Sequence, residues 1–208
     1  NDDFDQMDIG GIVKDWNIYS PRWCPVEIGK SPDGQGKALM LKDFDPYDYA
    51  KAVRVFQPSE KTTIKFNLFI ESNPEMLAME VVSANGARCI QTELDIKGNL
   101  LVKNGTDSLS KISSLGSGKW ILVEFDIHAK KKRYNIKINE ETVGEKIKFS
   151  AEDTPERIIF RSGKYRLTDD VQKWKSGDKF VPGWDEPAAD ETSPEATYYI
   201  KDFRVNNE

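Results

Sequence analysis

The sequence predicts an all-β protein, an antiparallel two-sheet β-sandwich of jelly-roll type. Three observations carry this. Apolar residues recur at every second position along many short segments, the signature of strands with one buried and one solvated face. Turn residues fall where those segments should end. No window of a dozen residues shows a 3.6-residue period, so helix is expected to be scarce.

Taken in order, Asp2-Asp-Phe-Asp5 alternates polar and aromatic residues and reads as an opening strand. Trp16 falls in a strand-like run and is assigned to the core. In Thr63–Ile70 the residues Ile64, Phe66, Leu68 and Ile70 share one face. Leu77, Met79 and Val81 repeat the pattern before an Asn85-Gly86 turn. Lys97-Gly98-Asn99 and Asn104-Gly105 are further hairpin signals. In Trp120–Ile127, Ile121, Val123, Phe125 and Ile127 face one way, and Trp120 is again assigned to the core. Ala129-Lys-Lys-Lys132 reads as an exposed turn, followed by alternation at Tyr134, Ile136 and Ile138 and a second turn at Asn139-Glu-Glu-Thr142. The strands Ile158–Leu167 and Tyr198–Val205 enclose a polar, Trp-bearing connection. About a dozen regularly spaced strands suit two stacked sheets. With no internal repeat or dividing linker, residues 1–208 are read as one domain with an irregular loop at about 162–196.

The bulk numbers narrow the function. The chain has 208 residues, enough for a sizeable core. Its net charge of -5 argues against general nucleic-acid affinity, which needs a basic footprint. No apolar run reaches the length of a membrane span. The start at Asn1, with no Met and no signal peptide, reads as a mature chain or an excised domain. The spacing of Cys24 and Cys89 matches no zinc pattern; they are two buried thiols or one disulfide. His128 is the single histidine, which removes mechanisms needing two imidazoles.

Several short segments together resemble the concanavalin-like jelly-roll domains attached to propeller-type glycan-degrading enzymes of Bacteroidetes. They are Asp2–Asp5, Gly34–Leu41, the hairpin Lys119–Asp126 with Tyr134–Asn139, Glu156–Gly163 and the closing Tyr199–Phe203. The likeness runs over nearly the whole chain and bears on fold more than on function. It implies an extracytoplasmic, non-catalytic carbohydrate-binding or accessory domain acting on a polysaccharide or oligosaccharide beside an adjoining catalytic domain. The alternatives are a polysaccharide lyase or glycoside hydrolase of the same fold, and a structural module that docks on its neighbour. The resemblance also implies a structural calcium where the closing strand meets the opening region, with Asp202 and Asp5 as its ligands.

The glycoside hydrolases of this fold align three carboxylates on one strand. Glu93-Leu-Asp-Ile-Lys-Gly98 supplies two and stops, so it reads as a strand edge entering a turn. Phe160-Arg-Ser-Gly-Lys-Tyr165 is similar to the strand that carries the acid/base tyrosine of jelly-roll alginate lyases. There Tyr165 would move a proton and Arg161 would neutralise a uronate. His128 beside its lysine turn is a poor partner for that chemistry. Asp43, Asp45 and Asp48 have the spacing of a loop ligand set but lack the rest of a calcium-binding pattern. Sugar binding needs aromatic faces beside planar polar groups. Trp23, Arg161, Tyr165, Arg166, Trp174 and Trp184 are the candidate contacts, and Tyr47 and Tyr49 lie in a similar loop.

Overall fold

The computed structural model describes residues 2–163 and 191–208. Its strands form two antiparallel seven-stranded sheets. Sheet A runs in the order β1 (Trp16–Tyr19), β4 (Lys51–Val55), β13 (Arg157–Ser162), β6 (Leu77–Val82), β7 (Arg88–Leu94), β8 (Asn99–Val102) and β9 (Ser110–Ser114). Sheet B runs β12 (Glu141–Lys148), β11 (Arg133–Ile138), β10 (Trp120–His128), β5 (Lys61–Ser72), β14 (Ala196–Asn207), β3 (Lys37–Asp43) and β2 (Val26–Lys30). Late strands insert between early ones, β13 between β4 and β6 and β14 between β5 and β3. The protein is a two-sheet β-sandwich of jelly-roll type, as the alternation predicts.

The predicted alternation sets the core. Ile64, Phe66, Leu68 and Ile70 of β5 meet Leu77, Met79 and Val81 of β6 and Phe160 of β13 between the sheets. Phe66 packs edge-on to Phe160 with centroids 4.9 Å apart, joining sheet B to sheet A. Trp16 meets Phe203 at 5.0 Å in the same layer, so its assignment to the core holds. Each such side chain contributes about 1.5–3 kcal/mol by leaving water.

Two expectations change. Trp120 is not in the core. Placing Ile121 and Val123 inside sends Trp120 to the outer face of sheet B, where it pairs with Phe69. There it joins a small satellite cluster of Phe69, Tyr199, Met40 and Ala38. The turn between β2 and β3 reaches over this cluster. Asp33 accepts the Trp120 indole N–H at 2.8 Å, and the Gln35 carbonyl accepts Lys201 Nζ at 2.6 Å. The opening Asp2–Asp5 segment is also not a strand. Phe4–Gln6 form a 3-10 turn whose preceding Asp3 carboxylate accepts the Asp5 N–H. Local Asp-to-backbone bonds compete with a sheet ladder. The two ends nevertheless meet, with Asp2 N donating to the Phe203 carbonyl at 3.0 Å.

Candidate functional site

Among the described residues, the outer face of sheet A brings aromatic and charged groups from five strands together. Register aligns Tyr19, Lys51, Arg161, Ala78 and Glu93 in one row across β1, β4, β13, β6 and β7. The next row holds Asn17, Val53, Ile159, Glu80 and Gln91. A third holds Val55, Arg157, Val82 and Arg88. Alternation puts these residues outside because Phe160 and Met79 face in. Yet the central outward positions are scarcely solvated: Ala78 is 2% exposed, Val82 3%, Arg161 4% and Glu80 6%. An outward sheet face in a polar chain is normally wet.

At one end of this face lies an aromatic and cationic cluster. The Tyr19 and Tyr49 rings are 5.1 Å apart, inclined at 41°. Lys51 Nζ lies 5.8 Å from the Tyr19 centroid and 5.9 Å from that of Tyr49. The Arg161 guanidinium lies 5.7 Å from the Tyr49 ring. These are cation–π distances. Tyr19 donates its hydroxyl to Asp48 at 3.0 Å. Burial, with Asp48 beside it, pushes the Tyr19 phenol up to about 12, so it stays a neutral donor. Tyr19 remains 41% exposed, leaving ring surface for a ligand.

A buried carboxylate anchors the cluster. Asp43, at the end of β3 in sheet B, accepts the Ser162 hydroxyl of β13 in sheet A at 2.6 Å. It also accepts the Cys24 thiol at 3.3 Å and the Asp45 N–H at 3.2 Å. Ser162 Oγ in turn accepts the Ala50 N–H at 2.8 Å, next to Tyr49 and Lys51. Burial pushes the Asp43 carboxyl above its ordinary value, opposed by those hydrogen bonds. The loop acids thus cap backbone: Asp45 takes the N–H groups of Tyr47 and Asp48, and Asp48 takes that of Tyr49. Arg161, which donates to the Gly163 carbonyl, sits on the strand this network fastens.

The other predicted contacts divide. Trp23 is half-buried on the loop before Cys24, with Arg22 at 5.8 Å over its ring. It lies near Asp43 through the bond from Phe44 N to its own carbonyl, but outside the aromatic cluster. Tyr165, Arg166, Trp174 and Trp184 lie outside the described residues. Glu93 faces outward on β7, whereas Asp95 belongs to the following turn. There Asp95 accepts from Asn99 and Lys97, bonds that hold its carboxyl below the usual range. His128 ends β10 beside Asp126 at 3.3 Å, on sheet B. Tyr19 and Lys51 were not predicted, because the register that unites them with Arg161 is not written in any one segment.

Asp5 and Asp202 line one cavity of about 280 Å³ with Lys37, Lys201 and Arg204. Calcium needs six to eight oxygens, several of them carboxylate. Here the oxygens have protein partners. Asp5 Oδ1 accepts Lys37 N at 2.5 Å, and Lys37 Nζ takes the carbonyls of Asp5 and Met7 at 3.1 and 2.5 Å. Gly36, at φ +75°, lets the Asp5 carboxylate approach where a Cβ would collide. Asp202, in the left-handed region at φ 53° within a bulge of β14, accepts Asn67 Nδ2 at 2.7 Å. Among the described residues no three His, Cys, Asp or Glu side chains converge as metal ligands. The Lys37 ammonium holds two carbonyl oxygens beside Asp5, and the Asp5 carboxylate is bonded to Lys37 N, an arrangement that does not fit calcium.

Comparison with known proteins follows this geometry. A family model described as "Sialidase-like, CBM domain" matches residues 16–174. No curated protein matches the chain. A sialidase structure superposes with a TM-score of 0.85 at 28% identity, covering 99% of this chain and 18% of the sialidase. The chain therefore spans less than a fifth of that relative's length. Alginate lyase A1-II′, of polysaccharide lyase family 7, gives a TM-score of 0.55 at 10% identity over 91% of this chain and 86% of its own. A Crh5 transglycosylase gives 0.59 at 10% identity over 95% and 80%. The last two likenesses bear on fold alone. Among the described residues no helix is long and apolar enough to cross a membrane. With its family model matching well over half the sequence, the chain belongs to the sialidase-like CBM domain family.

Proposed function

We propose that this chain is a non-catalytic glycan-binding module of an extracytoplasmic glycan-degrading protein, and that it binds carboxylate-bearing glycans on the outer face of sheet A. One observation carries the reading: Tyr19, Tyr49, Lys51 and Arg161 form a single cluster of ring faces and cations. Rings suit the apolar faces of pyranoses, and the cations suit an acidic substituent. The three outward rows contain the cations Lys51, Arg161, Arg157 and Arg88 against the carboxylates Glu80 and Glu93. Asp48 beside Tyr19 and Glu156 beside Arg157 offset those charges, so the preference for an acidic substituent rests on Lys51 lying over both rings. The non-catalytic reading is supported by Glu93-Leu-Asp-Ile-Lys-Gly98, which supplies two carboxylates where the hydrolases of this fold align three. The likeness to a sialidase several times longer supports an adjoining catalytic domain as partner.

Affinity electrophoresis in gels holding alginate, polygalacturonate or sialylated mucin tests this, with neutral glucans as controls. Retardation in the acidic gels, reduced by roughly tenfold in affinity for Tyr49→Ala and for Lys51→Met, is expected. Migration unaffected by every polysaccharide would refute the proposal.

A further inference from the structure

A cavity of about 420 Å³ lies away from the aromatic cluster, between the β8–β9 loop of sheet A and the start of β11 and end of β12 in sheet B. That volume suits a small ligand. Backbone bonds fix its walls. Asn104 Oδ1 accepts Lys148 N at 2.9 Å, Gly105 N donates to the Lys148 carbonyl at 3.1 Å, and Phe149 N donates to the Lys132 carbonyl at 3.0 Å. Lys131, Lys132, Arg133 and Lys148 line it, with Asp107 and Glu152. Lys132 is committed, its Nζ donating to the Asp153 carbonyl at 3.1 Å. Arg133 stands directly opposite Lys148 across the β11–β12 pair, and both are exposed. Like charges so placed repel. Among the described residues no ion pair joins Lys131, Arg133 or Lys148 to a carboxylate, Asp107 and Glu152 included.

Opposite charges that share an open cavity without touching leave a gap for a ligand that partners both. A bare oxyanion would satisfy the cations but meet Asp107 and Glu152 as a like charge. A neutral sugar would give its hydroxyls to the carboxylates and leave the repulsion of Arg133 and Lys148 standing. A sugar unit bearing a carboxylate or sulfate supplies both partners. Its oxyanion fits the guanidinium fork and the ammonium, and its hydroxyls donate to the acids. The single ring in the lining, Phe149, is 5% exposed, so a nucleic-acid base has no face to stack on.

We infer that this cavity is a second glycan site that takes one acidic sugar unit, with Arg133 and Lys148 on its oxyanion and Asp107 and Glu152 on its hydroxyls. The inference rests on the glycan-binding reading of the chain and adds a site separate from the outer face of sheet A. A module with both sites holds two stretches of one polysaccharide, or two chains at once.

The test titrates polygalacturonate and dextran sulfate, the carboxylate and sulfate arms, into wild type and into Tyr49→Ala, which disables the sheet A face. Tyr49→Ala is expected to keep binding at least one polymer, and the tighter one names the substituent. In that background Arg133→Gln and Lys148→Gln should each bind about tenfold more weakly. Their melting temperatures without polymer should stay level or rise by a few degrees, because a like-charge pair is relieved. Lys146→Gln, the same change of charge outside the cavity lining, should leave affinity unchanged. Glu152→Ala should weaken binding, since a hydroxyl acceptor is lost. Tighter binding by Glu152→Ala would mean a bare-anion site and overturn the sugar assignment. Equal losses in Lys146→Gln and Arg133→Gln would reduce the effect to diffuse charge and overturn the cavity. Oligothymidylate bound as tightly as either polymer would overturn the glycan class. If wild type binds and Tyr49→Ala, still folded by its melt, does not, the cavity falls and the sheet A face stands. If Tyr49→Ala binds like wild type, the sheet A face falls and the cavity stands on its own variants. If wild type binds neither polymer, both fall.

Discussion

Replacing Asp43 by asparagine and by alanine separates the charge of the inter-sheet clamp from its hydrogen bonds. Its two oxygens accept from the Ser162 hydroxyl at 2.6 Å, the Cys24 thiol at 3.3 Å and the Asp45 N–H at 3.2 Å. Alanine removes both acceptor oxygens and all three hydrogen bonds. The Ser162 proton can turn to the Ala50 carbonyl at 3.4 Å, and the thiol is a weak donor. The loss is then about 2–4 kcal/mol, or about 5–15 °C in melting temperature for a domain of this size. Asparagine keeps one acceptor oxygen for Cys24 and Asp45. Its amide can donate to Ser162 Oγ while the hydroxyl proton turns to Ala50. It also removes a charge whose burial raises the Asp43 carboxyl above 3.8. A carboxyl with a folded value above its unfolded one favours folding when protonated, and that advantage is lost as pH rises through the folded value. Asp43→Asn should therefore melt level with or above the wild type at pH 7, and the difference should close toward about pH 4, near the ordinary aspartate value. Circular-dichroism melts across that range decide the matter. If Asp43→Asn falls as far as Asp43→Ala at neutral pH, the charge itself holds the clamp and the desolvation argument is wrong.

Phe66, fully buried against Phe160, Phe125 and Phe203, is the test of the aromatic layer. Phe66→Ala should cost about 3–5 kcal/mol, read as a lower urea midpoint. A loss under about 1 kcal/mol would mean the two sheets close over the gap. At the junction of the chain ends, Lys37→Met should lower the melting temperature by several degrees, at about 1–3 kcal/mol for carbonyls left without their ammonium. Calcium or a chelator should leave the wild-type melt where it was, since a ligand that stabilises a fold must bind it. A wild-type melt that rises with calcium would show that metal and Lys37 compete for those oxygens.

Much of the core is legible from alternation, because a period of two ties every residue of a strand to its neighbour. The Ile121–Ile127 series is the clearest case, and its own logic places Trp120 on the opposite face. Aromatic bulk weighed against that parity gives the wrong side. The opening acids mislead for a different reason: Asp3 satisfies backbone locally, which a count of alternating residues does not register. Arg161 is singled out as a candidate by the Phe160-Arg-Ser-Gly-Lys-Tyr165 segment. Its partners are not, because Tyr19, Lys51 and Arg161 meet only through pairings of β1 with β4 and β4 with β13. Likewise Asp5 and Asp202 do share a cavity, but the ammonium that enters it comes from Lys37, 32 positions after Asp5.

Cys24 and Cys89 are both fully buried, and burial pushes both thiols up, so neither holds the thiolate that alkylating reagents attack. Cys24 lies beside the Asp43 clamp; Cys89 lies on β7, bonded to the Asp153 carbonyl at 3.5 Å. The native fold thus carries two silent chemical reporters in two different regions of the molecule. Pulsed thiol labelling would read which of them uncovers first. The clamp beneath the proposed binding face could then be timed against the rest of the sandwich without introducing any foreign probe.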